Sequence, residues 1–141
     1  MVILCSAVVV GCSGSETSRI GACPIRPGAS CAGNYMEGAK LASAGLFAAD
    51  FDHADLADVD LSSADLGGAT MLDARLVRAH LQHATLSYAD LRGADLRRAN
   101  LTGVDLTAAD LTGATVTPAQ LAGATLCRTL IPDGTMAEPD C

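Results

Sequence analysis

The sequence predicts an all-β coiled solenoid, and three observations carry that prediction. Leucine recurs at every fifth residue, alanine stands two residues before it, and the residue between them is often Asp or Asn. From position 41 to position 126 there are eighteen such fifth positions; fifteen are Leu and the others are Phe51, Met71 and Val116. The preceding alanine is replaced only at Val59 and Val104. Ala54-Asp55-Leu56, Ala64-Asp65-Leu66, Ala89-Asp90-Leu91 and Ala99-Asn100-Leu101 show the unit.

A period of five fits neither regular element alone. Five residues of α-helix advance about 500°, so successive leucines would scatter around the helix. A strand alternates faces with every residue, so an odd spacing would flip each Leu to the opposite side. The chain must turn a corner once per repeat, always the same way, and four corners make a square coil. Leu then points inward from each side and Ala fills the tighter space near the corner. Stacked coils pair backbone to backbone at about 4.8 Å. Each coil contacts only its neighbours, which is the definition of a solenoid.

The run Ala-(Asp/Asn)-Leu-x-x resembles the pentapeptide-repeat proteins. The match covers residues 39–126 without a frame slip, and Ile131 is a degraded further unit. The resemblance implies a right-handed quadrilateral parallel β-helix of about 4.5 coils, a rod about 20 Å tall. Composition agrees. Phe47, Phe51, Tyr35 and Tyr88 are the aromatics and there is no Trp, as suits a narrow interior that Leu and Ala fill.

Five segments are expected along the chain. Residues 1–11, Met1 to Gly11, are uncharged and mostly apolar. They are too short to span a bilayer of about 30 Å as a helix. They match the apolar region of a secretory signal, although no basic residue precedes it. Val9-Val10-Gly11-Cys12 resembles the bacterial lipobox, where cleavage before Cys12 leaves that cysteine to be lipidated. Residues 12–22 read as a polar tether. Residues 23–38 break the repeat and read as an N-terminal cap, 39–131 as the β-helix, and 132–141 as a C-terminal cap with a Pro-Asp-Gly turn.

No cysteine falls between residues 32 and 126. Cys23, Cys31, Cys127 and Cys141 allow three pairings. The ends of the rod lie about 20 Å apart, beyond the roughly 7 Å Cα limit of a bridge, so local pairing is favoured: Cys23 with Cys31 and Cys127 with Cys141. Buried free thiols of a cytosolic protein are the alternative. Loss of residues 1–11 would also remove Cys5, leaving Cys12 for lipid and four cysteines for two bridges.

Function must lie on outward positions. Residues twenty apart should stack, giving columns Asp55–Arg75–Asp95, Asp60–His80–Asn100 and Asp65–Thr85–Asp105; only Asp90 and Asp110 set like on like. Such columns suit a self-compensating wall, since opposed like charges destabilise. Arg78, Arg97 and Arg98 crowd one face and are the candidate binding group for a protein or anionic partner. Asp58 below Arg78 and Asp95 near Arg97 offer the plainer reading of ordinary ion pairs. Phe47, Leu72, Val77 and Tyr88 are expected to face outward.

No catalytic constellation, metal site or cofactor motif is expected. His53, His80 and His83 lack zinc-site spacing with the cysteines, and no basic stripe interleaved with aromatics marks direct nucleic-acid binding. These readings together predict an extracytoplasmic, membrane-anchored structural or protein-interaction module. The resemblance also implies a second reading, because several cytoplasmic members mimic duplex DNA and inhibit DNA gyrase. The net charge of −7 permits it, whereas Arg75, Arg78, Arg97 and Arg98 interrupt the negative field.

Overall fold

The computed structural model describes residues 23–137. The expected leader 1–11, the tether 12–22 with Cys12, and Cys141 lie outside the described residues.

The repeat 61–65 shows how five residues close one side of a square. Leu61 N–H donates to the His80 carbonyl at 2.8 Å and Ser63 N–H to the Gln82 carbonyl at 2.9 Å, both in the next coil. Ala64 N–H donates to the Leu61 carbonyl at 3.1 Å and closes the corner, while Asp65 N–H donates to Ala44 in the previous coil at 2.9 Å. The third corner residue, Ser63, has φ 57°. Positive φ at that place alone marks a type II turn. The same conformation recurs at every fifth residue from Gly28 to Gly113, mostly on Ala, Ser, Asp, His, Arg or Tyr rather than Gly. Each non-glycine there costs about 1–2 kcal/mol. The ladder bonds on either side hold the corner against that cost.

Four N–H groups of the five are thus used, and one remains, that of the residue after Leu. The Asp or Asn before Leu takes it. Oδ1 of Asp60 accepts from Ser62 N–H at 3.2 Å, Oδ1 of Asp65 from Gly67 at 3.1 Å, and Oδ1 of Asn100 from Thr102 at 3.1 Å. Backbone donors at a partly buried site must find partners, and a short side chain bonding two residues on is the usual Asx solution. The acidic residue of the motif is therefore first a turn-capping group.

Parallel pairing links each rung to the one twenty residues on, from Ser30 with Asp50 to Asp110 with Leu130. This register confirms the expected columns. The inward residues from Leu41 to Leu111 are all at most 2% exposed, and the alanines between them form the second inner layer. The coil starts earlier than residue 39. Ala29, Cys31 and Met36 occupy inward places and Tyr35 pairs with Asp55, so much of the expected N-terminal cap is ordinary coil. Cysteine and methionine fill leucine's place well enough to hide the repeat from a search for Leu.

Regularity fails once on the way up. Pro118 falls on a corner position that requires positive φ, and its ring fixes φ near −65°. The chain instead forms a short helix, α1 (Pro118–Leu121), with Thr117 as N-cap and Gln120 completing a capping box. Asn100 consequently has no rung above it among the described residues. The Gln120 side-chain amide substitutes, with Nε2 donating to the carbonyls of Leu96 at 2.8 Å and Ala99 at 2.9 Å. This helix is a departure from the wholly β expectation.

Both ends are closed by non-repeat chain. Cys23 and Cys31 form a disulfide with Cα atoms 5.0 Å apart. At the other end Gly134 N–H donates to Ile131 at 2.8 Å, and Met136 pairs antiparallel with Leu130. The Pro132-Asp133-Gly134 turn so folds the chain back on the final coil. Cys127 is disulfide-bonded as well; its expected partner Cys141 is beyond the described residues.

Candidate functional site

The twenty-residue register sorts the outward side chains into four walls of different chemistry. One wall, over Phe51, Met71, Leu91 and Leu111, is acidic: Asp50, Asp52, Asp73, Asp90 and Asp110 share it with His53 and Arg92. A second, over Leu41, Leu61, Leu81 and Leu101, is polar, with Asp60, His80, Gln82, His83 and Asn100. A third, over Leu46, Leu66, Leu86 and Leu106, is nearly uncharged and carries Phe47 and Tyr88. The fourth holds the arginines.

On this arginine wall most of the cations already have partners. Arg75 Nη1 donates to Asp55 Oδ1 at 2.8 Å and to Oδ2 at 3.0 Å. Arg78 grips Asp58 through two bonds, its Nε donating to Oδ1 at 2.7 Å. Arg97 Nε donates to Asp95 Oδ1 at 2.9 Å and Nη2 to Oδ2 at 2.6 Å. The bonded guanidinium holds the carboxyls of Asp58 and Asp95 below the usual carboxylate range and raises the pKa of Arg78 and Arg97. Arg92 does the same for Asp90 on the acidic wall. Being largely exposed, such pairs contribute little to stability.

Arg98 differs. It stands above Arg78 and beside Arg97, and among the described residues it has no ion pair. With Arg97, Thr115, Val116, Thr117 and Gln120 it lines a shallow groove of about 270 Å³. Helix α1 makes this recess by displacing the rung that would cover Arg98. Of the three expected binding arginines, two are charge-balanced and Arg98 keeps an open guanidinium. Pro118 was the sequence signal for this groove.

Of the four apolar residues expected to face outward, two keep that placement and two depart from it. Phe47 and Tyr88 are exposed and Leu72 is partly buried, but Val77, expected outside, is 8% exposed. Its wall position lies between Ala57 below and Arg97 above. His53 Nδ1 lies 3.9 Å from Asp73 Oδ2, while His80 and His83 belong to different columns. Among the described residues no group of three His, Cys, Asp or Glu side chains can hold a metal, and no helix is long and apolar enough to cross a membrane. A second recess of about 500 Å³ opens at the carboxyl end of the rod, lined by Val116, Leu121, Leu126, Ile131 and Ala137 among others.

A square coil with twenty residues per turn, a corner at each fifth residue and an Asp or Asn capping many of those corners defines a quadrilateral solenoid. The pentapeptide-repeat model matches residues 36–71 and 74–113, eight copies, and the chain belongs to that family, whose members form right-handed quadrilateral β-helices. It is similar to the pentapeptide-repeat protein alr5209 of Nostoc PCC 7120, with 31% identity over 67% of this chain and 82% of that one, and a TM-score of 0.61. It is also similar to Rfr23 of the cyanobacterium Cyanothece 51142, with 29% identity over 72% and 83% of the two chains and a TM-score of 0.54. No curated protein matches the chain.

Proposed function

We propose that this protein is a non-enzymatic, extracytoplasmic lipoprotein, a rod whose bridged rungs run from Ser30 to Leu130 and that serves as a structural or protein-interaction module. The observation that carries the reading is the placement of the cysteines. Cys23–Cys31 and Cys127 are disulfide-bonded at the two ends of the rod, and disulfides persist in oxidising compartments. The leader with Val9-Val10-Gly11-Cys12 supplies the route out, and lipid on Cys12 supplies the anchor. Under this reading a protein or anionic partner meets the wall of Arg78, Arg97 and Arg98, with Arg98 as its first contact.

The intact mass of the protein from the membrane fraction tests the proposal. The expected species lacks residues 1–11, carries diacylglycerol and a fatty acyl chain on Cys12, and has oxidised cysteines. Cys12→Ala should release it from the membrane, because anchoring depends on buried acyl chains. Mature protein that retains Met1, or fractionation unchanged by Cys12→Ala, refutes the reading.

The acidic wall favours one second reading, a cytoplasmic DNA mimic that inhibits gyrase. Asp110 over Asp90 is its uninterrupted acidic pair. Arg92 neutralises Asp90 through bonds of 2.8 and 2.6 Å, which weakens it. Submicromolar inhibition of gyrase supercoiling by residues 23–141, lost when Asp90 and Asp110 become Lys, would establish this reading in place of the first.

A further inference from the structure

We infer that the wall bearing Phe47 and Tyr88 is a docking face for a linear, uncharged glycan chain. Both rings are exposed, Phe47 at 54% and Tyr88 at 72%. They stand on a floor stripped of side chains, since Gly67 and Gly68 lie on the rung between them. The Phe47 ring leans along the rod over Gly67: a Cβ built there would meet its Cδ2 at 3.2 Å and Cε2 at 3.4 Å. The backbone positions of the two aromatics, in adjacent columns, are two coils apart, about 10 Å, and the Phe47 ring inclines toward the rung between them. That spacing is close to the length of a disaccharide. In an extended β-linked chain alternate sugars turn over, so the same apolar ring face recurs at every second sugar. Each aromatic ring can then stack on a like face.

The rest of the wall suits the same ligand. Its charged groups between residues 45 and 108 are Asp65 and Asp105, and its hydroxyls are Thr85, Ser87 and Thr107. Asp65 and Asp105 are fixed by N–H donors from Gly67 at 3.1 Å and Thr107 at 2.9 Å, leaving Oδ2 of each to accept from sugar hydroxyls. Among the described residues the wall carries no cation between positions 45 and 108, with Arg26 a coil below Phe47 and Arg128 two coils above Tyr88, and the net charge of −7 repels a polyanion. A peptide strand gains nothing here, because the wall's backbone groups are spent along the stack, as in Leu66 N–H to Thr85 at 2.8 Å and Gly68 N–H to Ser87 at 2.8 Å. A second copy is ill suited too. The wall is roughly 20 Å by 15 Å, on the order of 300 Å², whereas a stable protein pair buries about 800 Å² on each side. A slender chain lying along the rod matches that footprint.

The test is titration calorimetry of the full chain with linear hexasaccharides of β-linked glucose and of β-linked N-acetylglucosamine, with a polyuronate of similar length as the charged comparison. Binding of at least one neutral hexasaccharide is expected, with Phe47→Ala and Tyr88→Ala each weakening it about fivefold, as for a lost ring stack. Tyr35→Ala, on the arginine wall, should change nothing. Circular dichroism of each variant should match the parent. The two neutral sugars distinguish a plain from an N-acetylated chain. Absence of binding to both at millimolar concentration overturns the proposal. So does binding that survives Phe47→Ala together with Tyr88→Ala, or that prefers the polyuronate, and so does a dimer in sedimentation that Tyr88→Ala dissolves.

Discussion

Truncation of one mid-rod leucine measures how far the stacked interior acts as a core. Leu91 is fully buried, with Met71 below and Leu111 above in its inward column, both also fully buried. Neither coil end is near enough to relax around a hole, so Leu91→Ala belongs in the upper part of the usual range, about 3–4 kcal/mol. Unfolding entropy for the described residues, 23–137, is about 0.24 kcal/mol per degree. The melting temperature should therefore fall by about 12–17 °C. Leu126, partly buried in the last coil, should cost about 1–2 kcal/mol on the same change. Thr102→Ala, exposed and one residue past inward Leu101, should stay within about 0.5 kcal/mol. Calorimetry with circular dichroism reads all three. Equal losses for Leu91→Ala and Thr102→Ala would refute the inward register, and equal losses for Leu91→Ala and Leu126→Ala would refute the argument about relaxation at the ends.

Further outcomes follow from named contacts. Gln120→Ala removes both donors that replace the missing rung and should cost about 1–3 kcal/mol in denaturant titration, since two carbonyls lose partners; a neutral result would mean that water serves as well. Joint replacement of Cys23 and Cys31 by Ala opens a loop of sequence separation 8, and loss of the bridge should cost up to about 2.5 kcal/mol, a part of the difference that disappears when both proteins are reduced. Asp58, Asp90 and Asp95 have carboxyls lowered chiefly by their Arg hydrogen bonds. A folded-state pKa below the unfolded one adds stability above the unfolded value, near pH 4, and that stability is lost as pH falls through the folded pKa. The urea midpoint should drop on acidification below about pH 4, and the drop should shrink when all three become Asn. Gly113→Ala, with no atom closer than 3.8 Å to its new Cβ, should cost about 1–2 kcal/mol from backbone conformation alone. Gly93→Ala must also displace the Asp73 carboxylate, whose Oδ1 would clash with the added Cβ, and should cost more.

Most of the architecture was legible because one spacing determines it. The five-residue period yields the corner, the inward Leu and the twenty-residue column, and the pairs Asp58–Arg78 and Asp55–Arg75 follow by addition. The remainder required atoms. The early start of the coil at Cys31 and Met36 was hidden because packing reads volume where the eye reads letters. The Asp that often precedes Leu looked like surface charge, and only the accounting of backbone donors shows it capping a turn. Pro118 was in plain view, yet its consequence needed the knowledge that its position demands positive φ. The site was less legible. Crowding of Arg78, Arg97 and Arg98 was visible, but which guanidinium stays open depends on side-chain geometry, and the smooth floor beneath Phe47 appears only when Gly67 and Gly68 are placed on one rung.

The register has a consequence for how such a chain can change by insertion and deletion. Loss of twenty residues removes one storey and leaves every column above in line. Loss of five leaves the interior equally well filled, because one Leu and one Ala go together, but it turns everything above by a quarter. Arg78 would then no longer stand over Asp58, and Tyr88 would leave the wall of Phe47. Folding is blind to that rotation while every vertical partnership depends on it. A deletion series in steps of five would thus vary surface pattern at nearly constant core, as a combination lock turns its rings on one spindle.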